Sequence, residues 1–206
     1  MSPVRTVIAV LLFILVAVLG SFPSARHWDR AVTIWLQQSA PTPDMFASIY
    51  VFLGDAEVVI TAAVLAGLVL LSRNRPHGIV AFRFAAGVTA VSLLAVLLKH
   101  VIPHPGPPEA LVRHILRFGI SGPPGYSLPS GHTMRTTFIA GTVLRRYPLL
   151  ADALVLCMMA SLVYLGDHWT SDVLAGLCLG WACAEVGRRF IAGRSTTLRP
   201  PNYPPG

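Results

Sequence analysis

The chain has 206 residues, of which 54% are hydrophobic and only 12% charged, with a mean hydropathy of +0.64. Soluble domains carry about 25% charged residues, so this composition excludes an ordinary soluble domain and points to a chain that lives in a lipid bilayer. The net charge is +7, from 16 basic and 9 acidic residues. The arginines stand at the ends of apolar runs, the pattern of membrane orientation. They do not form a stripe along a nucleic-acid backbone, and no nucleic-acid partner is expected. Cys157, Cys178 and Cys183 lie inside apolar runs, where they read as small core residues and not as a disulfide framework or metal ligands.

Residues 6–19 are continuously apolar and follow Arg5. A signal peptide is the competing reading; a retained first span is favoured because the topology that follows needs it. Residues 21–43 are polar and carry Pro23, Pro41 and Pro43. Within them Asp29–Leu36 is amphipathic, and Trp28 and Trp35 suit a helix lying at the membrane interface. A second apolar zone runs from Met45 to Leu71, broken at Gly54-Asp55-Ala56-Glu57, so that 45–53 is an approach and 58–71 the core of a second span. A basic turn at 72–78 leads to a third span, 79–100, ending in Lys99-His100. Residues 101–128 form a Pro/Gly-rich loop holding Arg113, His114 and Arg117, with a short amphipathic helix expected over 109–118. A fourth helix is expected over 131–147 and a fifth span over 150–166. A sixth starts at Ser171 or Asp172 and ends near Val186, where an Arg- and Pro-bearing tail begins.

The expected fold class is all-α, a polytopic membrane helical bundle of about six transmembrane helices plus a short interfacial helix. It makes one membrane-embedded domain, 1–190, with a disordered cytoplasmic tail, 191–206. Arg5, Arg73, Arg75, Arg145, Arg146 and the tail arginines fall on one side, which the positive-inside rule makes cytoplasmic along with both termini. The other side receives the 101–128 loop, Lys99, His132 and His168. The expected location is the plasma membrane, with the site on the extracytoplasmic face.

That face carries the chemistry. In Tyr126-Ser127-Leu128-Pro129-Ser130-Gly131-His132-Thr133, Pro129 stiffens the approach to a helix and Ser130 is a preferred N-cap. The free N–H groups of the first turn, with Gly131 adding no side chain, make an anion seat. His132 stands at its rim, where it could protonate an oxygen of a bound anion. His168 and Asp172 are four residues apart at the entry to the last helix, so Asp172 can fix the tautomer of His168 and leave its other nitrogen as a nucleophile. One helix inward and one back separate His132 from His168, which puts both at one membrane face. His168 would attack phosphorus and His132 would protonate the leaving oxygen. Lys99 and the amides of Ser130–His132 would hold the equatorial oxygens. A third strong ligand at metal-motif spacing is lacking, and neither a metal nor another cofactor is expected.

These residues resemble the type 2 phosphatidic acid phosphatase superfamily, which includes membrane lipid phosphate phosphatases and soluble vanadium haloperoxidases. Its second motif is intact as Pro129-Ser130-Gly131-His132. Its third keeps Ser161, His168 and Asp172, and its first keeps Lys99 and Pro107. The resemblance, over residues 28–190, implies a six-span bundle, a phosphohistidine intermediate on His168 and catalysis without metal. Two phosphate-binding arginines of the family are replaced here, by Gly106 and Leu162. Arg135, Arg113 and Arg117 are candidates to compensate, with His104 and His114 weaker ones. The expected function is hydrolysis of a phosphate monoester or pyrophosphate of a membrane lipid, prenyl or glycerolipid, held in the bilayer. A lipid head-group phosphotransferase and a non-catalytic phospholipid-binding protein are the alternatives, and no oligomeric state follows.

Overall fold

The computed structural model describes residues 3–39, 44–75, 77–113 and 126–192. Regular structure among them is helical: α1 (Pro3–Gly20), α2 (Pro23–Ser39), α3 (Asp44–Leu53), α4 (Ala56–Ser72), α5 (His77–Val101), a 3-10 turn (Glu109–Leu111), α6 (Gly131–Val143), α7 (Pro148–Tyr164) and α8 (Thr170–Ala192). The outer faces of the bundle are apolar, with Leu11, Leu15, Leu65, Leu68, Leu93, Leu97 and Leu156 all exposed. Such a surface belongs in hydrocarbon, where a helix satisfies its own backbone. By length and composition α5 can cross a membrane alone; at 1.5 Å per residue it is about 37 Å long, enough for a hydrocarbon core of about 30 Å. The pairs α1/α2 and α3/α4 each pass as one broken span, bent by 93° and 51°, and α7 is apolar but shorter.

The breaks have local causes. The Gly54-Asp55 interruption separates α3 from α4. α6 stops at Val143, short of the expected end, and Arg145-Arg146-Tyr147 form a turn closed by Pro148 at the first position of α7, where its missing N–H is harmless. α8 runs past Val186 to Ala192, so Arg188 and Arg189 are helical. Arg188 Nη1 donates to the Gly141 carbonyl at 3.4 Å. Of the helix expected over 109–118, Glu109–Leu111 forms one 3-10 turn. Residues 114–125, with His114 and Arg117, and the tail from 193 lie outside the described residues.

α1 packs along α8, and its Phe13 joins Val88, Met134, Phe138, Ala175 and Leu179 in the central core. The apolar N-terminal run is therefore part of the bundle. α2 inverts the usual amphipathic arrangement. Its buried face, Asp29, Thr33 and Gln37, is polar, while Trp28 and Trp35 are exposed, as suits an interfacial helix. Asp29 accepts from the N–H and Oγ of Ser171 at 3.0 and 2.7 Å, and Gln37 Nε2 donates to the carbonyls of Leu111 and Tyr164, each at 2.8 Å. α2 thus clamps the ends of α7 and α8.

α6 and α8 approach each other backbone to backbone. A Cβ at Gly176 would lie 2.7 Å from the Ser130 carbonyl oxygen, and one at Gly180 2.7 Å from that of Met134. Small residues four apart let two backbones touch in this way.

Removing the buried acceptor should loosen the clamp. Asp29→Ala is expected to destabilise the protein by about 2 kcal/mol, a fall in Tm of roughly 4–8 °C in detergent. Trp28→Ala on the outer face should change it little. Equal Tm values for Asp29→Ala and wild type would refute docking through the polar face.

Candidate active site

Asp172 sits in the first turn of α8. Its Oδ2 accepts from the Trp169 N–H at 2.9 Å and lies 3.4 Å from His168 Nδ1. The bond to Trp169 is the helix-start contact in which a third-position side chain reaches back to the cap N–H. Because α8 starts at Thr170, His168 precedes the helix, and the pair meets through the cap and not through helical spacing. The turn carrying His168 is shaped by Gly166, at φ +70°, where a Cβ would fall 2.3 Å from the Leu111 carbonyl oxygen; glycine alone tolerates both.

Ser130 caps α6, its Oγ accepting from Thr133 N–H at 3.4 Å and Thr133 Oγ1 at 3.2 Å. The Ser130 N–H donates to the Asp172 carbonyl at 3.0 Å, tying the starts of α6 and α8 together. His132 Nε2 donates to Asp55 Oδ1 at 2.8 Å, and Arg135 Nε donates to the Gly54 carbonyl at 2.9 Å. The other end of the Arg135 guanidinium lies beside the seat, with Nη1 3.1 Å from the point a Cβ on Gly131 would occupy. Lys99, half-buried in the last turn of α5, lies within electrostatic range of Asp172 and Arg135. His132 lies within that range of Arg135 and His168. His132, His168, Asp172, Lys99, Ser130, Gly131 and Arg135 therefore converge on one end of the bundle.

Two residues in this cluster escaped the sequence reading or were underrated by it. Asp55 was legible as a break in an apolar zone but not as the partner of His132. An acidic residue at membrane depth was the available signal, since such a group needs a partner. His104 is buried, with Nε2 3.1 Å from the Gly20 carbonyl oxygen and Nδ1 3.3 Å from Ser127 Oγ and 3.1 Å from Asp172 Oδ1. Burial opposes a charge on His104, but the Asp172 carboxylate and the Gly20 carbonyl outweigh it and hold its pKa above the ordinary histidine value.

Other candidates lie elsewhere. Arg113 stacks over the Tyr164 ring at 5.5 Å and donates to the Gln37 carbonyl at 3.3 Å and to Tyr164 Oη at 3.4 Å. Tyr164 in turn donates to Asp44. Among the described residues these Arg113 contacts belong to the α2–α7 corner. Leu162, which stands in place of a family arginine, is fully buried in an apolar cluster with Ala47, Val51 and Met158. Gly106 lies against Ser127, in a loop that folds back so that Ser127 N–H donates to the His104 carbonyl at 2.9 Å.

The Asp55 contact is testable. Asp55→Ala should lower kcat roughly tenfold to a hundredfold on a lipid phosphate by releasing His132, with fold retained as judged by Tm. Full activity would show that the pair does not serve the reaction.

Comparison with known proteins places this geometry. The PAP2 superfamily model matches residues 80–195. The decaprenylphosphoryl-5-phosphoribose phosphatase of Mycobacterium tuberculosis, in two strains, is 32% identical over 131 residues, covering 63% of this chain and 70% of the relative. The crystal structure of a transmembrane PAP2-type phosphatidylglycerolphosphate phosphatase from Bacillus subtilis superposes with a TM-score of 0.68 at 20% identity, covering 89% of this chain and 94% of that one, a likeness of fold. The chain, with its intact Pro129-Ser130-Gly131-His132 turn and its paired His168 and Asp172, belongs to the PAP2 superfamily.

Proposed function

We propose that this protein is an extracytoplasmic lipid phosphate phosphatase that works through a phosphohistidine on His168. The carrying observation is the bond from Ser130 N–H to the Asp172 carbonyl, which sets the nucleophile beside the anion seat. His168 Nε2 attacks phosphorus while Asp172 holds Nδ1–H. The bond from phosphorus to the leaving oxygen breaks, and that oxygen takes a proton from His132. Asp55 occupies His132 Nε2, leaving Nδ1 for this transfer. Water then attacks the phosphohistidine, gives its proton to His132 and releases phosphate with free His168. Lys99, the Gly131 and His132 amides and the Nη1 end of Arg135 stabilise the equatorial oxygens; the Ser130 amide, expected to join them, is instead committed to the Asp172 carbonyl. No step calls on a metal.

The surroundings support a lipid substrate. An apolar cavity of about 620 Å³, lined by Leu53, Val59, Ala63, Phe84, Ile139 and Val143 among others, runs between α4, α5 and α6 from Leu53, next to the Gly54–Asp55 break, to His77 at the start of α5. It suits the hydrocarbon of a lipid whose phosphate sits on the seat. The Mycobacterium relative's name adds support for a prenyl-linked phosphate monoester.

In purified protein assayed on a panel of prenyl and glycerolipid phosphates, wild type should release phosphate. His168→Ala should abolish release, Asp172→Asn should lower it by about two orders of magnitude or more, and His132→Ala should slow departure of the leaving group. Vanadate should inhibit and chelators should not. Transfer of the phosphoryl group to a second lipid would favour the phosphotransferase alternative. Activity lost to chelator and restored by zinc or magnesium would overturn the metal-free mechanism.

Orientation has its own test. A single cysteine at Glu109 should react with an impermeant reagent in intact cells, and one at Arg73 only after permeabilisation. The reverse pattern would turn the site to the cytoplasm.

A further inference from the structure

We infer that His104 stands in the folded protein as an imidazolium cation and acts as a positioning residue, fixing the Asp172 carboxylate behind His168. The inference rests on the reading of His168 as nucleophile, and it concerns a residue that the family's motifs, as matched above, leave without a role.

Both ring nitrogens of His104 face oxygen. Nε2 lies 3.1 Å from the Gly20 carbonyl, which can only accept, so Nε2 carries a hydrogen. Nδ1 lies 3.1 Å from Asp172 Oδ1, and an ionised carboxylate also only accepts. A lone pair on Nδ1 would face the carboxylate at that distance. The remaining neighbour, Ser127 Oγ at 3.3 Å, has one proton and an acceptor of its own in the His104 carbonyl at 3.2 Å. Neither neutral tautomer serves both nitrogens, whereas the imidazolium does.

Asp172 requires the same answer. Its side chain is fully buried, and among the described residues Oδ1 accepts no well-aligned hydrogen bond. The His104 N–H lies off the ideal line, so the contact is one of charge. A buried carboxylate oxygen with neutral neighbours alone would be costly. The charged and titratable groups around His104 agree. Asp172 faces it from α8, and Asp29 and Arg26 from α2, Arg26 opposing the charge, while His168 acts on Asp172 from the turn before α8. Lys99 acts on Asp172 from the end of α5. Asp29 is already engaged by Ser171, which leaves Asp172 as the partner of His104.

The two carboxylate oxygens then have separate tasks. Oδ1 is held by His104, and Oδ2 serves Trp169 N–H and His168 Nδ1. Held at both ends, the carboxylate keeps His168 aimed. The imidazolium also offsets part of the Asp172 charge that His168 faces. The segment in which Gly106 stands for an arginine therefore does bring a cation to the site, placed behind the nucleophile. The Gly20 carbonyl makes α1 part of this arrangement.

Two measurements on the full chain in detergent test this. At about pH 7.5 unperturbed histidines are neutral, so the ¹⁵N spectrum of wild type labelled at its histidines should show a ring with both nitrogens protonated that is lost in His104→Gln and kept in His132→Gln. Absence of any such ring, or loss of none in His104→Gln, overturns the proposal. On a prenyl phosphate, His104→Gln should move the acidic limb of the pH–rate profile upward by about 1 pH unit and lower kcat with little change in KM. A fall in rate with an unmoved limb would assign His104 mere structural support and overturn the positioning role. If His104→Gln does not fold, the His132→Gln spectrum decides: a ring with both nitrogens protonated should remain in it, and its absence overturns the proposal. Lack of wild-type activity on every lipid would refute the phosphatase reading, while the spectrum would still report the state of His104.

Discussion

A single backbone contact organises this molecule. The Ser130 N–H donates to the Asp172 carbonyl, and it can do so because Gly176 and Gly180 let α8 lie against the α6 backbone. In a bilayer, helices gain little from hydrophobic association, since lipid is as apolar as their side chains; close packing and hydrogen bonds hold them together. Here those forces do a second task. They bring the starts of two helices to one point, one offering unpaired N–H groups for an anion and the other carrying the histidine and its carboxylate.

The elements around this point are fixed by polar contacts turned inward. The buried face of α2 is Asp29, Thr33 and Gln37, and its bonds run to Ser171, Leu111 and Tyr164. The break between α3 and α4 is held by Arg135 on the Gly54 carbonyl and by His132 on Asp55. In each case a backbone or carboxylate group that would be stranded beside hydrocarbon is satisfied by the machinery it supports. Breaks in apolar segments are thus where this fold attaches its reactive groups.

Replacement of the two family arginines bears on charge. Leu162 is packed among apolar side chains, so that position contributes to the core and not to an anion pocket. The cations that do converge are Lys99, the guanidinium of Arg135 beside Gly131, and the ring of His104 behind Asp172. Arg135 has its Nε committed to Gly54, so it cannot present its whole fork to a phosphate as an uncommitted arginine would.

The sequence by itself determined the helical class, the membrane setting, the order of the helices and the two motif turns. Each of these depends on short-range pattern: long apolar runs, Pro and Gly at breaks, and Ser130 before a helix. It determined the pairing of Asp172 with His168 by proximity, though not the cap through which they meet. Tertiary structure alone decided what lies across the bundle. Asp55 reaches His132 over 77 positions and Asp29 reaches Ser171 over 142, and no periodicity encodes such distances. The inward polar face of α2, the seating of Arg113 on Tyr164 and the core position of Leu162 were likewise settled by packing. A helical repeat says which residues share a face, but what that face meets depends on how every other helix is placed. For the same reason His104, a weak candidate in a proline-rich loop, acquired its contacts from α1 and α8 only once the chain had folded.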